Sequence, residues 1–261
     1  MNPNLQKICS KCPEISLINV TKTFSVIRNR KTIVNSIKGV LSGNSNNPKP
    51  YSALNDINFE ILEGEKIGIV GINGSGKTTL LKTIAGLYKP NDGEVHVNGK
   101  MILLAGYGIG MVDELSVKEN IYLYGAIYGI DRKALDEELR EIIDWAELQD
   151  FMDTQLKTLS SGMRTRLGFS VARFMDADIY LLDEALSAGD KNFKQKCDEY
   201  FDSTKNEDKT YLVASHNLEF LKMFCNKTLW LHKGNQMAFG ETESVLEQYN
   251  DSTNIGPKSQ N

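Results

Sequence analysis

Two hydrophobic periods alternate along this chain. Residues 15–20, 53–62, 66–70, 101–105, 179–182, 210–214 and 228–231 are short runs, apolar either at every second position or throughout, and predict strands. Between them lie stretches in which apolar residues recur every third or fourth place. One is Leu80 to Leu87, and the longest is 116–145, with Tyr122, Ala126, Leu135, Leu139, Ile142 and Ile143 on its apolar side. Strands alternating with helices predict an α/β fold, with a mainly helical block embedded in it. The turn at Lys89–Gly93 marks Glu94–Gly99 as a hairpin strand. Residues 1–14 carry no period and are expected to be a loose tail. Residues 25–50 read as an insert between strands: a short helix (Ile33, Ile37, Val40, Leu41) and the turn-rich run Ser42–Pro50.

Composition narrows the class. A chain of 261 residues, 41% hydrophobic and 25% charged, can bury a core of domain size. A net charge of −4 leaves no global basic field to recruit nucleic acid, so no nucleic-acid partner is expected. The cluster Arg28–Lys31 reads as solvated surface or as a patch for anionic lipid headgroups. The longest weakly polar run, Met101–Val112, is too short to span a bilayer and contains glycines, and the first residues lack a secretory core. The expectation is a protein of the cytoplasm. Cys9 and Cys12 form a lone Cys-x-x-Cys pair without metal-site partners, and Cys197 and Cys225 stand apart, so all four read as free thiols.

The chemistry concentrates where the third strand ends. Gly71, Ile72, Asn73, Gly74, Ser75, Gly76, Lys77, Thr78 and Thr79 follow an apolar strand and open an apolar-periodic helix. Glycines let successive amides converge on phosphate oxygens at the positive end of a helix. Lys77 would neutralise β/γ-phosphate charge, and the Thr78 hydroxyl would hold Mg²⁺. A second metal anchor comes from Ile179–Leu182, a buried strand ending in Asp183 and Glu184. Asp183 would hold Mg²⁺ and Glu184 would polarise the attacking water. These residues alone establish a nucleoside-triphosphate site.

Leu159, Ser160, Ser161, Gly162 and Met163 then resemble the Leu-Ser-Gly-Gly-Gln signature of ATP-binding cassette proteins, placed some twenty residues before the acidic strand end. Ser187–Asp190 resembles that family's D-loop, His216 its switch histidine, and Trp230–Gly234 the strand and turn near its end. The substitutions Ser161 and Met163, with Glu119–Leu123, Gly125–Gly129 and Asp183–Ser187, look like the subgroup that exports polysaccharides, teichoic acids and O-antigens. The resemblance covers about Ser16 to Tyr249. It implies a nucleotide-binding domain at 15–250 with a RecA-like core, an antiparallel β subdomain and a helical subdomain at about 112–170, between tails at 1–14 and 251–261.

It further implies ATP and Mg²⁺ as cofactors. Ser160–Gly162 would grip the γ-phosphate held by a second copy of the chain, and His216 would hold Glu184 and water in line. Phe24 is the expected adenine-stacking ring, with Tyr51 as the alternative. The usual glutamine entering the helical block is missing from Ala105–Gly110. The expected partners are the second copy, a membrane permease whose coupling helix meets Gly106–Gln155, and a lipid-linked glycan as indirect substrate. The expected location is the cytoplasmic face of the cell membrane. A cassette acting on ribosomes or DNA is the alternative, but fused cassettes or a long coiled coil would be usual there. A phosphate-loop kinase or GTPase would lack the signature at this spacing.

Overall fold

In the computed structural model, residues 13–25, 50–105, 110–183, 191–205 and 207–254 are described. The described residues form nine strands, the seven apolar runs and two more polar ones: β1 (Ile15–Ser25), β2 (Pro50–Ile61), β3 (Lys66–Val70), β4 (Asp92–Val97), β5 (Met101–Ala105), β6 (Ile179–Asp183), β7 (Thr210–Ala214), β8 (Lys227–His232) and β9 (Asn235–Glu241). The helices are α1 (Lys77–Ile84), α2 (Val117–Ile127), α3 (Arg132–Ala146), α4 (Ser161–Arg173), α5 (Lys191–Thr204), α6 (Leu218–Phe224) and α7 (Thr242–Asn254).

One sheet orders the strands β4-β1-β2-β9-β8-β3-β7-β6-β5. Its heart, β8-β3-β7-β6-β5, is parallel, as fully apolar runs joined through helices dictate. The flank made by β4, β1 and β2 is antiparallel, and a single parallel rung, Asn55 opposite Asn235, joins it to the rest.

Alternation along each central strand divides the core in two. Leu103, Ile179, Leu181, Leu212 and Ala214 face one side with Leu80, Leu81 and Ile84 of α1, and that cluster continues into β1 and β2. Leu104, Tyr180, Leu182, Tyr211 and Val213 face the other side, against α2 through α6. The nucleotide-loop helix is thereby held between the central sheet and the antiparallel flank, while the helical block covers the opposite face.

Helix ends follow local chemistry. Ser116 and Glu119 form a reciprocal capping box on α2, Asp131 caps α3, and Asn217 caps α6.

Three expectations change. Glu94–Gly99 is not half of a hairpin: β4 pairs with β1, more than seventy residues earlier, because its alternate apolar residues Val95 and Val97 extend the β1–β2 core. The helical stretch 116–145 divides in two around Gly129, whose φ of 74° ends α2. The boundary drawn at 250 falls inside α7, which runs to Asn254 with Val245 and Leu246 buried. The expected N-terminal tail up to Cys12 and the insert at 26–49 lie outside the described residues.

Candidate functional site: a phosphate loop and a distant serine turn

Strand register builds the first half of the site. Ile69 of β3 lies opposite Ala214 of β7, and Ala214 lies opposite Asp183 of β6. The carboxyl ends of three neighbouring parallel strands therefore stop at one level, which is where open α/β sheets bind ligands. From β3 comes the glycine loop, from β7 the segment Ser215–His216, and from β6 the carboxylate of Asp183, which is 8% exposed.

The loop is shaped by close approach. A Cβ on Gly71, at φ 154°, would lie 2.5 Å from the Ser75 hydroxyl oxygen. One on Gly76, at φ 112°, would lie 2.6 Å from the Ala53 carbonyl oxygen of β2. Only glycine fits either place. The Ser75 amide donates to the Ile72 carbonyl at 3.0 Å, closing the turn. Outside support comes from the turn between β8 and β9, whose Gly234 amide donates to the Ser75 carbonyl at 2.9 Å and whose Gly234 carbonyl accepts from Asn55 at 2.8 Å. The sequence marks only the first strand and the turn of that hairpin, Trp230–Gly234. Its Lys233-Gly234 pair, with φ of 49° and 81°, is the local signal that marks β9.

Lys77 opens α1 and is 6% exposed, yet its ammonium turns back to donate to the Gly71 carbonyl at 2.8 Å. It thus lies across the loop, where phosphate oxygens would meet it. His216 Nε2 is 3.1 Å from Asn73 Oδ1, which ties the segment after β7 to the same loop. Thr78, in the first turn of α1, is exposed. The Thr78 hydroxyl and the Asp183 carboxylate are hard oxygen donors of the kind Mg²⁺ takes together with water and phosphate oxygens. Ile72, Asn73 and Gly74 are exposed at the loop's crown, whereas Ser75 is buried; Thr79 is half-buried.

The two aromatic candidates sit opposite each other. Phe24 and Tyr51 are direct cross-strand partners of β1 and β2, which places them on one face. Phe24 packs edge-on against Tyr88 at 5.3 Å, with the Lys22 ammonium 5.2 Å from its ring centre. Tyr51 is 50% exposed, and its hydroxyl donates to the Gly74 carbonyl at 3.2 Å. Tyr51 is the ring that touches the phosphate loop.

The second half is built elsewhere. Ser160 caps α4, and its hydroxyl accepts from the Met163 amide at 3.2 Å. Ser161 and Gly162 occupy the first two helical positions, whose amides have no intrahelical acceptor and favour an anion. Ser160 and Ser161 are exposed. Since α4 belongs to the cluster on the sheet face opposite α1, the structure does not fold this turn onto the chain's own loop helix.

The turn is instead laced to residues 112–116. The Arg164 guanidinium donates to the Leu159 carbonyl at 3.3 Å and to Asp113 at 2.7 Å, and the Lys157 amide donates to the Asp113 carbonyl at 3.0 Å. Fully buried Asn120 accepts from the Val112 amide at 2.7 Å and donates to the carbonyls of Val112, Leu115 and Ser116. Glu184, Gly106–Ile109 and Ser187–Asp190 lie outside the described residues.

Known proteins share this plan. A protein-family model described as ABC transporter matches residues 54–187. The teichoic acids export ATP-binding protein TagH of Shouchella clausii (strain KSM-K16) is 37% identical over 93% of this chain and 66% of its own length. The protein of the same name from Bacillus anthracis is 43% identical over 77% of this chain and 36% of its own. That of Staphylococcus haemolyticus (strain JCSC1435) is 36% identical over 90% and 87%. The chain therefore spans from 36% to 87% of the length of these relatives. Two solved structures share the fold: an ATP-binding subunit of an ABC transporter (TM-score 0.70, 19% identity, 90% of this chain and 93% of that one) and the dimeric post-hydrolysis ATP-binding cassette MJ0796 bound to ADP and Pi (TM-score 0.69, 23% identity, 87% and 98%).

Proposed function

This chain belongs to the ABC transporter family, and on that premise we propose that it is the ATP-hydrolysing subunit of an exporter that moves a lipid-linked cell-surface glycan, a teichoic acid in the first place. The observation that carries the ATPase reading is the alignment of Lys77, His216 and Asp183 at one end of β3, β7 and β6. The glycan rests on the names of the relatives above.

Each side chain has a task in this reading. Lys77 and the loop amides hold the β- and γ-phosphates, and Thr78 with Asp183 would hold Mg²⁺, which supplies charge neutralisation at the phosphate oxygens. The Tyr51–Phe24 rung lies where adenine would stack, with Tyr51 nearer the phosphates. Glu184 accepts a proton from water as the water oxygen bonds to the γ-phosphorus, and the bond to the bridging oxygen breaks to release ADP. His216 orients that water and the γ-phosphate.

Ser160–Gly162, facing outward on α4, meets the nucleotide of a second copy, so the two ATPs sit between two chains. No helix among the described residues is long and apolar enough to cross a membrane. In this reading a separate integral-membrane permease completes the transporter, and this chain docks on it from the cytoplasmic face of the membrane. Its coupling helix meets the helical block within Gly106–Gln155, and closing and reopening of the dimer shifts it between states.

The test is Glu184→Gln, which keeps the site but slows proton removal. With ATP and Mg²⁺ this variant is expected to run as a stable dimer by light scattering. A variant that stays monomeric at saturating nucleotide overturns the shared-site reading.

A further inference from the structure

Glu147 follows α3 as its C-terminal cap with φ 59° and ψ 45°. That left-handed conformation is the usual place for glycine or asparagine, and it strains any residue with a larger side chain. A glutamate here needs a reason beyond ending the helix.

The carboxylate supplies one. One oxygen accepts from Arg166 Nη1 at 2.9 Å and the other from Lys196 Nζ at 2.5 Å. Arg166 lies in the second turn of α4, the helix capped by Ser160, while Lys196 lies on α5. The Arg166 guanidinium also rests over the Phe193 ring at 5.6 Å, one turn before Lys196. Beneath the charges is an apolar floor. Trp145 of α3 stacks on Phe169 of α4 at 5.3 Å and meets Phe193 of α5 edge-on at 5.1 Å.

The division of labour is physical. Burial of these rings away from water holds α3, α4 and α5 together whatever residue caps α3. Two charge-assisted hydrogen bonds from one carboxylate are directional, and they fix how α4 is turned relative to α5. The Glu147 and Lys196 side chains are both 38% exposed, so that pair adds little to stability. The Arg166 side chain is 16% exposed, so its bond to Glu147 contributes to stability as well as to orientation, and the two are told apart by comparing turnover with melting temperature.

We propose that Glu147 is a positioning residue for ATP hydrolysis: by bridging Arg166 and Lys196 it sets the angle of α4, and so the aim of the Ser160–Gly162 turn, against α5. This rests on the reading that the turn meets a second chain's nucleotide.

The test compares three variants of the full chain by steady-state ATPase assay, nucleotide calorimetry and thermal unfolding. Glu147→Gly relieves the backbone strain and removes both bonds. Its melting temperature is expected to hold or rise, its affinity for ATP to stay within about twofold, and its kcat to fall about tenfold. Glu147→Asp keeps the charge and tolerates the backbone geometry, and is expected to recover kcat to within about threefold of the parent.

The proposal is overturned if Glu147→Gly keeps kcat within about twofold, or loses it in step with its melting temperature. Ser160→Ala separates the two readings. If Ser160→Ala hydrolyses ATP normally, the shared-site reading fails; if it is impaired while Glu147→Gly is not, only the role of Glu147 fails.

Discussion

The phosphate loop and the Ser160 turn are both small-residue turns that open a helix, yet they are held in different ways. The first is clamped on all sides. Ala53 of β2 and Gly234 of the β8–β9 turn press on it, Ser75 is buried, and Lys77 crosses it at 2.8 Å from the Gly71 carbonyl. The second is exposed and fastened from behind, through Arg164 to Asp113 and through α4 to Glu147. A site that must grip its ligand from an isolated chain needs the rigid construction. A site that must be offered to another chain needs exposure and an adjustable mount.

The largest test of that contrast is Lys77→Ala. Loss of the buried ammonium should weaken ATP binding by about a hundredfold or more by calorimetry, as expected for a charge-assisted phosphate contact. Unchanged affinity would remove the loop from the site.

Ser160→Ala should behave in the opposite way. Single-chain ATP affinity is expected to stay within about twofold, while turnover falls about tenfold or more. Losing the cap should also cost about 1 kcal/mol of stability, measured in denaturant. An effect on affinity as large as that of Lys77→Ala would erase the distinction between the two turns.

At the loop's rim, Tyr51→Ala should weaken ATP binding by about tenfold, from a stacking contribution of about 1–3 kcal/mol. Phe24→Ala, which takes away a ring already packed on Tyr88, should change affinity less; the reverse order would restore Phe24 as the stacking ring. The smallest effect is expected from Arg164→Gln. Its partner Asp113 has a side chain 54% exposed, so unfolding free energy should change by under about 1 kcal/mol. Turnover should fall by about threefold as the turn loosens. A stability loss several times larger would make this link part of the core rather than a mount.

Some of the molecule can be read from the chain because its causes are local. The run Lys66–Val70, the glycines after it and the helix from Lys77 form one uninterrupted unit, and Ile179–Asp183 is apolar at every position but Tyr180 and Asp183 because both strand faces are buried. Pairing was harder to read. Glu94–Val97 alternates like any hairpin strand, and nothing nearby indicates that its partner is β1. In the same way β9 is too polar to stand out, and its turn matters chiefly because Gly234 supports Ser75 and Asn55. The sequence favours Phe24 over Tyr51 for its place just after the first strand, but the chain between them hides that the two residues share a rung.

By itself, then, the amino-acid sequence determined a triphosphate loop, an acidic strand end and a serine turn that marks a family, since each depends on residue types within a few positions of one another. Tertiary structure alone decided which of these meet. Parallel register brought Lys77, Asp183 and His216 to one level from three distant segments. Packing of α1 and α4 on opposite sheet faces carried Ser160 away from its own chain's loop. The left-handed cap at Glu147, with cations from two other helices, has no sequence pattern because its partners come together only when the helices pack.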